Sequence, residues 1–335
     1  MSLSVQTATA TVLRQQLEDR RARLQGAISA NGAEVELVGL LQQVDSALGK
    51  LGTDDYGRCL VCEEHVAERD LLENPLLHYC LCDLTPAQER ALEHDLELAR
   101  RIQAALLPNP DLLNRAWEAY YRYEPAGMVS GDYCDLWERP DEPGTVYFAV
   151  GDVSGKGVAA SLLMAHLQAG FRSLIGTGLP LAELVERMNL QLLQATIPSH
   201  YATLACGRAS HDGQVEIVNA GHCPPLVARS GGVEEVASTG FPIGILGGRP
   251  YEVSRTRLGE GDMLLLYSDG LTEARRPDGE EFGQRRIETL LANRGKGIAP
   301  RQLVHALRAD LTGFLGGTPR IDDLTMLALR RSARG

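Results

Sequence analysis

The sequence predicts a protein of the α+β class, built as a sandwich of strands and helices behind a helical N-terminal segment. From about residue 116 onward, short β-rich runs are separated by turn residues such as Asp212-Gly213. The helices predicted there are grouped between the runs and do not follow each strand in turn. Strands clustered in hairpins with grouped helices are typical of α+β sandwiches, whereas a regular alternation would predict a parallel sheet.

Composition limits the class of protein further. The chain has 335 residues, of which 44% are hydrophobic and 23% charged, so it can bury a core and is long enough for two domains. Its net charge of −11 argues against a general nucleic-acid-binding surface. The N-terminus lacks the features of a secretory signal, and no run approaches the ~18 apolar residues of a membrane helix. We therefore expect a cytoplasmic protein with no membrane or direct nucleic-acid partner.

Two leucine-rich runs near the N-terminus predict a pair of helices. Asn31-Gly32 interrupts the helical pattern between them, which indicates an antiparallel hairpin. The second run has the 4-3-4-3 spacing of a coiled-coil seam. The alternative is an ordinary helical pair that packs on the rest of the protein. The apolar positions are Leu13, Leu17, Leu24 and Ile28, followed by Leu37, Leu41, Val44, Leu48 and Leu51.

A third helix is predicted between the cysteine-rich segment and the β-rich part. Thr85 can cap it, Pro86 suits its first position, and Gln88 can complete a capping box. It should end near Leu107, before Pro108. Its apolar stripe predicts either a dimer contact or packing on the next domain; the stripe contains Leu92, Leu96, Ala99, Ile102 and Leu106. The predicted divisions are residues 1–85, a linker or dimerisation helix at 86–107, and a domain at 108–335.

The β-rich part supplies the remaining elements. Its strands are predicted over YYRYEP, TVYFAVGDV, YATLACGRAS, QVEIVNAG, MLLLYSDG and LTMLALR, and its helices over residues 159–175, 181–195 and 300–315. Four acidic motifs recur beside such runs or between them. An ionised carboxylate at the end of an apolar strand is costly unless it is paired or binds a cation. The motifs are SGDYCD (Asp132, Asp135), VGDVSGKG (Asp152), YSDG (Asp269) and DDLT (Asp322, Asp323).

Together these carboxylates predict a site for hard divalent cations. Oxygen ligands favour Mg²⁺ or Mn²⁺, and two such ions about 3.5–4 Å apart can activate a water for attack on phosphorus. For Asp269-Gly270 alone, a simple turn is the better interpretation. The segment from Gly151 to Gly157 superficially suggests a nucleotide-binding loop, but its spacing is one residue short and Gly157 replaces the hydroxyl residue.

Six motifs in order resemble the SpoIIE/RsbU-type phosphatases, the bacterial branch of the metal-dependent (PPM) Ser/Thr protein phosphatases. They are SGDYCD, GDVSGKGVAASLLM, NAGHCPP, GFPIGI, YSDGLTEAR and DDLTML, and the resemblance covers roughly residues 96–331. It implies an αββα sandwich that holds two Mn²⁺ or Mg²⁺ ions at one edge. It also implies a phosphoprotein substrate, such as a STAS-type anti-sigma-factor antagonist.

The resemblance also implies a role for each ligand. Asp152 would bridge both ions, assisted by the Val153 carbonyl. Asp269 and Asp322 would complete one ion's shell, and Asp132 would serve the other. Asp135 and Asp323 would be neighbours with structural or supporting roles. His222 could act as a general acid, although a structural role beside Pro224-Pro225 is the other interpretation.

Four of the seven cysteines fall within a short segment, which in a cytoplasmic protein favours a metal over disulfides. With the preceding hairpin, this segment resembles the DksA/TraR family, whose zinc site lies beside a coiled coil. The spacing departs from that family, so Asp83 and His78 are alternatives for the fourth ligand. A tetrahedral Zn²⁺ site is predicted from Cys59, Cys62, Cys80 and Cys82.

The leading hypothesis is therefore a metal-dependent protein serine/threonine phosphatase that dimerises through the linker helix. One alternative is an RNA-polymerase-associated transcription regulator that uses residues 1–85, with the phosphatase domain as a scaffold. Another is a redox switch formed by the clustered cysteines.

Overall fold

The computed structural model describes residues 7–31, 35–53, 55–60, 64–77, 86–195, 200–294 and 297–332. The chain divides into two compact units, residues 1–95 and 96–335. The first unit contains α1 (Thr7–Asn31), α2 (Val35–Lys50) and α3 (Glu68–Glu73). Helix α4 (Pro86–Leu106) begins in the first unit and ends in the second.

The helices of the first unit pack through leucines, as the sequence predicts for α1. Leu13, Leu17 and Leu24 of α1 are buried. On α2 the seam differs from the prediction, because Leu40 and Ala47 are buried whereas Leu41 and Leu48 remain partly exposed. Both spacings fit a 3.6-residue turn, and Leu40-Leu41 offers a leucine to either face, so the sequence does not determine which one meets α1.

The second unit contains two antiparallel sheets. One has the order β1-β2-β11-β10-β7-β8 and the other β3-β4-β5-β6-β9. Their strands are β1 (Asp111–Leu113), β2 (Trp117–Glu124), β3 (Asp132–Glu138), β4 (Val146–Val153), β5 (Ala202–Ala209), β6 (Gln214–Ala220), β7 (Leu226–Arg229), β8 (Gly232–Glu235), β9 (Ser254–Arg257), β10 (Met263–Tyr267) and β11 (Leu324–Arg331).

Among the residues of the second unit that the structure describes, five helices follow α4 and give the unit four layers. They are α5 (Gly157–Ile175), α6 (Leu181–Ala195), α7 (Asp269–Thr272), α8 (Gln284–Arg294) and α9 (Pro300–Leu315). Helices α5 and α6 share one apolar core with the β3–β9 sheet, and α8 and α9 share another with the opposite sheet. A third core fills the space between the two sheets. The predicted α+β sandwich is therefore confirmed, with the layer order helix, sheet, sheet, helix.

Helix α5 is more apolar than the sequence analysis allows. By length and composition, it could cross a membrane. Seven of its residues are nevertheless buried, and all of them except Gln168 pack in the core formed with α6 and the β3–β9 sheet. Those residues are Ala160, Met164, Leu167, Gln168, Phe171, Leu174 and Ile175. The helix therefore has the packing expected of a core element in a globular domain.

Candidate metal centre

Strands β3 and β4 place two predicted ligands side by side. Asp132 and Asp152 are direct partners in the antiparallel register. Directly opposed residues point to the same face of a sheet with Cβ atoms about 4.5–5.5 Å apart. That face also carries Cys134 and Val150, which belong to the core between the sheets. The two carboxylates therefore lie at one end of the space between the sheets.

The opposite sheet holds Asp132 in place. The hydroxyl of Ser268, just after β10, donates to Asp132 Oδ2 at 2.9 Å, and the Thr325 hydroxyl of β11 donates to the same oxygen. The backbone N–H of Thr325 donates in turn to Ser268 Oγ at 2.9 Å. A buried carboxylate of one sheet is thus fixed by two hydroxyls of the other. Ser268 belongs to YSDG and Thr325 to DDLT, but both hydroxyls were missed because only the carboxylates of these motifs were considered as site residues.

Asp269 reaches the site because Gly270 has no side chain. A Cβ on Gly270 would lie 1.8 Å from the Asp323 carbonyl oxygen, which excludes any other residue without a backbone shift. Asp269 begins the short helix α7, so Asp269-Gly270 is the start of a helix instead of the simple turn that its sequence suggests in isolation. The close approach sets Asp269 beside the Asp322-Asp323 pair.

The two neighbours Asp322 and Asp323 have different surroundings. Asp323 Oδ1 accepts from the Ala126 N–H at 2.7 Å, and Oδ2 accepts from the Ser130 hydroxyl at 2.7 Å and the Gly131 N–H at 3.0 Å. Both oxygens of Asp323 are therefore engaged in holding the loop before β3. Asp322 is 46% exposed and meets Lys156 Nζ at 3.3 Å.

Electrostatic repulsion links the carboxylates. Burial, followed by the charges of Asp323 and Asp269, raises the pKa of Asp132 well above its ordinary value. Burial and the charge of Asp132 do the same for the pKa of Asp152, with smaller contributions from the other three aspartates. The structure therefore brings five aspartates within electrostatic reach of one another. We call them the acidic cluster: Asp132, Asp152, Asp269, Asp322 and Asp323.

The donor set fits hard divalent cations. All its side chains offer oxygen, and no hydrogen bond reaches the Asp152 carboxylate from any residue that the structure describes. Within the described ranges, no group of three or more His, Cys, Asp or Glu side chains already has the spacing of a metal site. Cations bound here would neutralise the repulsion among the carboxylates.

Glycines in and beside the loop after β4 determine the position of the Val153 carbonyl. Gly155 and Gly157 have φ angles of +97° and +75°, a backbone region that favours glycine. Gly131 lies against this loop, and a Cβ there would be 3.0 Å from the Val153 carbonyl oxygen. The glycines thus allow the turn and the close approach, and coordination by Val153 stays a prediction.

Asp135 belongs to a separate ion pair. It lies three residues after Asp132 on β3 and so points to the opposite face of the sheet. Arg172 of α5 donates to both of its oxygens, Nη2 to Oδ1 at 2.7 Å and Nε to Oδ2 at 2.9 Å. Asp135 is buried and holds α5 against β3. It is therefore a structural residue and not a rival of Asp132.

His222 supports the site from behind β5. Its Nδ1 lies 2.8 Å from the hydroxyl of Thr203, which is the register partner of Asp152. The Asn219 side chain fixes the turn around it by accepting from the His222 N–H at 2.9 Å. Burial lowers the pKa of His222 to about 4, so the ring is neutral at physiological pH. These contacts favour the structural interpretation of His222.

Helix α4 contacts the site loop through a buried glutamine. Gln103 Nε2 donates to the Ser130 carbonyl at 2.7 Å, and the Ser130 N–H donates to Gln103 Oε1 at 3.0 Å. Ser130 also donates its hydroxyl to Asp323, and its Oγ accepts from the Asp132 N–H at 3.0 Å. One serine therefore connects α4 with two residues of the acidic cluster. Gln103 lies on the same helix face as Leu96 and Ala99, seven and four residues after them, and it was missed because its side chain is polar.

The predicted zinc site falls largely outside the described residues. Cys62, Cys80 and Cys82, like the alternatives His78 and Asp83, are not among them. Cys59 is buried, and its N–H donates to the Glu64 carbonyl at 2.8 Å. Zinc binding therefore stays a prediction.

Comparison with known families assigns the chain to one of them. A family model described as Stage II sporulation protein E (SpoIIE) matches residues 142–332, more than half of the chain. The chain belongs to the SpoIIE family. The match includes Asp152, Asp269 and Asp322, whereas Asp132 lies before it.

Named relatives and a solved structure agree with this assignment. Protein IcfG of Synechocystis is 30% identical over 270 residues, which cover 71% of this chain and 42% of IcfG. Phosphoserine phosphatase RsbU of Bacillus subtilis is 26% identical over 194 residues, covering 57% of each protein. The chain thus spans about half the length of these SpoIIE-related proteins.

The solved structure is the SiaA-PP2C domain of Pseudomonas aeruginosa. It superposes with a TM-score of 0.63 at 21% identity and covers 73% of this chain and 99% of that domain. At this identity the likeness shows the fold alone. The second unit therefore has the PP2C fold.

Proposed function

We propose that this SpoIIE-family chain is a metal-dependent protein serine/threonine phosphatase of bacterial signalling. The observation that supports it best is the Asp152 carboxylate. It lies directly opposite Asp132, in electrostatic reach of Asp269 and Asp322, and accepts no hydrogen bond from the described residues. Such a carboxylate would be suited to hold divalent cations.

The chain's own residues would divide the work. Asp152 with the Val153 carbonyl, Asp132, Asp269 and Asp322 would hold two Mn²⁺ or Mg²⁺ ions. When bound, these ions supply an activated water and neutralise charge on the phosphoryl group. Ser268 and Thr325 orient Asp132, and Lys156 orients Asp322. The hydroxyl of Thr203, opposite Asp152 on β5, lies 2.8 Å from His222 Nδ1 and links that ring to the site.

The substrate would be a phosphoserine or phosphothreonine of a cytoplasmic regulatory protein. Two facts support this choice: the family assignment, and the naming of a relative as a phosphoserine phosphatase. The motif resemblance favours a STAS-type anti-sigma-factor antagonist. Helix α4 would join two copies of the chain, and the cysteine segment of the first unit would hold zinc.

Hydrolysis of a chromogenic aryl phosphate with added Mn²⁺ tests the enzymatic proposal. We expect Asp152→Asn to lower kcat by at least about a hundredfold, because the bridging charge is lost while the shape is kept. Asp310→Asn, which changes an exposed carboxylate on α9, should retain wild-type activity. Equal rates for wild type and Asp152→Asn would refute the assignment.

A further inference from the structure

Three arginines converge on one glutamate at the end of β2. Arg308 Nε lies 3.2 Å from Glu124 Oε1, and Arg320 Nη2 lies 3.2 Å from Oε2. Arg122 Nε also donates to Oε1. We call Arg122, Arg308 and Arg320 the arginine cluster. Glu124 is 16% exposed, so the shared carboxylate lies beneath the arginines.

The arginine cluster carries surplus positive charge. Burial works against the ionised form of Glu124, but hydrogen bonds from Arg122 and Arg308 outweigh it and lower the pKa of Glu124. Glu124 is therefore ionised at neutral pH, and one negative charge faces three positive ones. This local excess contrasts with the net charge of −11 of the whole chain.

Unused donors of the arginine cluster face solvent. Arg122 and Arg308 are 33% and 40% exposed. A guanidinium has five N–H donors. Among the described residues, Arg122 uses only its Nε, and Arg308 uses Nε and also Nη1, which donates to Thr312 at 2.8 Å. A purely structural contact between α9 and β2 would not require a third guanidinium, nor the unused N–H donors of Arg122 and Arg308.

The surface around the arginine cluster is concave. Arg308 separates two adjoining cavities. One is lined by Arg320 with the apolar side chains of Leu311, Leu315 and Leu324, and the other by Arg122 and His305. An extended segment that carries acidic groups between small apolar ones would match both cavities.

The arginine cluster adjoins the metal centre. Arg320 is two residues before Asp322, and its Nη1 donates to the carbonyls of Glu124 and Asp322, each at 3.2 Å. Glu124 is the register partner of Leu324 on β11. A chain that presents a phosphoserine to Asp152 and Asp322 can therefore extend over the arginine cluster.

We propose that the arginine cluster is a docking site for acidic side chains of the phosphoprotein substrate. The proposal rests on the proposed phosphatase function and deepens it. Arginine is suited to this role because its planar fork binds carboxylates through two hydrogen bonds. The surplus charge attracts acidic segments, so the site selects phosphoserines that lie beside Asp or Glu residues.

Two phosphoserine peptides test the proposal with the full chain and Mn²⁺. They differ only in flanking residues, which are Asp and Glu in one and Asn and Gln in the other. We expect wild type to prefer the acidic peptide through a lower KM. Arg122→Gln combined with Arg308→Gln should reduce kcat/KM for the acidic peptide by about tenfold. Rates on the neutral peptide and on an aryl phosphate should change little.

Matched variants separate docking from a structural role. Arg285→Gln with Arg294→Gln removes the same charge from exposed positions on α8 and should leave the preference intact. Glu124→Gln should increase the preference, since it removes the competing carboxylate. Equal kcat/KM for both peptides in wild type would overturn the proposal. An equal loss on all three substrates in the double variant would do the same.

A binding measurement keeps the proposal independent of catalysis. Fluorescence anisotropy with a labelled, phosphate-free acidic peptide should show weaker binding to the double variant than to wild type. If no phosphate ester is hydrolysed, the phosphatase proposal fails while this measurement still decides the docking site. Binding that the double variant leaves unchanged would overturn the docking site alone.

Discussion

Two neighbouring aspartates show how the surroundings of a residue determine its role. Asp323 and Asp322 are adjacent in one motif, and motif position alone favours Asp322 as the ligand. The structure supplies a physical reason, because three hydrogen bonds engage both oxygens of Asp323. Asp322 is more exposed and contacts Lys156. Asp322 is suited to metal binding and Asp323 to holding the loop before β3.

Asparagine at each position should therefore have a different effect. In Asp323→Asn an amide group replaces an oxygen that accepts from N–H or O–H donors, so we expect the free energy of unfolding to fall by about 1–3 kcal/mol. Asp322→Asn should keep the wild-type value but need more Mn²⁺ for half-maximal activity. Urea denaturation and Mn²⁺ titration measure the two effects. Equal stability of the two variants would contradict this division of roles.

The neutral, buried His222 predicts a pH dependence of stability. Its pKa is about 4 in the folded protein, against about 6.5 in an unfolded chain. Between these values the unfolded chain binds a proton that the folded protein does not, so stability falls as pH drops through this range. From pH 7 to pH 5 we expect His222→Gln to lose about 2 kcal/mol less than wild type.

Urea denaturation at the two pH values measures this difference. His211→Asn, at an exposed position, is the matched control and should follow wild type. If His222→Gln also shows the wild-type pH dependence, the ring does not remain neutral in the folded protein.

At the scale of elements, α4 presents an apolar stripe that its own chain leaves partly uncovered. Ile102 is 55% exposed and Leu98 46% exposed, while Leu96 is half-buried. The buried side chain in this part of α4 is the polar Gln103. Exposed apolar side chains at helical spacing favour a second copy of the helix as their partner.

Charged residues in the stripe test this dimer. Leu96→Glu with Ile102→Glu should convert dimers to monomers in sedimentation and lower phosphatase activity, because buried glutamates would repel across the contact. His94→Glu with Arg101→Glu adds charge at exposed positions on the opposite face and should leave sedimentation unchanged. A double stripe variant that sediments like wild type would remove the support for a dimer through α4.

The elements that the sequence predicts are those with a strong periodic signal. Helices α5, α6 and α9 and strands β4, β5, β6 and β11 lie within about two residues of their predicted bounds, whereas β10 ends three residues before its predicted run does. Strand β3, which carries Asp132, was missed. In sequence, the acids at positions 132 and 135 are typical of a polar loop. In the structure, Ser268 and Thr325 bind Asp132 and Arg172 binds Asp135, and all three partners are distant in sequence. Such long-range partners leave no local signal.

At the scale of the whole molecule, the chain combines two compact units with different chemistry. The second unit contains all five aspartates of the acidic cluster, and the first contains the cysteine segment. Motif order predicted that the aspartates belong together, and the structure shows them in electrostatic reach. The arrangement of these carboxylates around a cation is not predictable from motif order or from the ligand-free structure, because it depends on the cation itself.

Mn²⁺ should therefore stabilise the folded chain. At a concentration one hundred times its dissociation constant, a ligand adds about 2.7 kcal/mol, which for a unit of this size raises the melting temperature by roughly 5–10 °C. Calorimetry with and without Mn²⁺ measures the shift. Asp152→Asn should lose it. If Mn²⁺ still raises the melting temperature of the Asp152→Asn variant, the cation binds elsewhere.

The bonds between Gln103 and Ser130 have a mechanical consequence. Both hydrogen bonds are made to the backbone of Ser130, so α4 would hold the loop even if another side chain replaced the serine. Successive residues of a helix are about 100° apart around its axis, so a twist of α4 by one residue would swing the amide away. Ser130 would then lose its anchor while it still holds Asp323 and Asp132. A twist of α4 would therefore be enough, without any unfolding, to loosen the loop that holds Asp323 and Asp132.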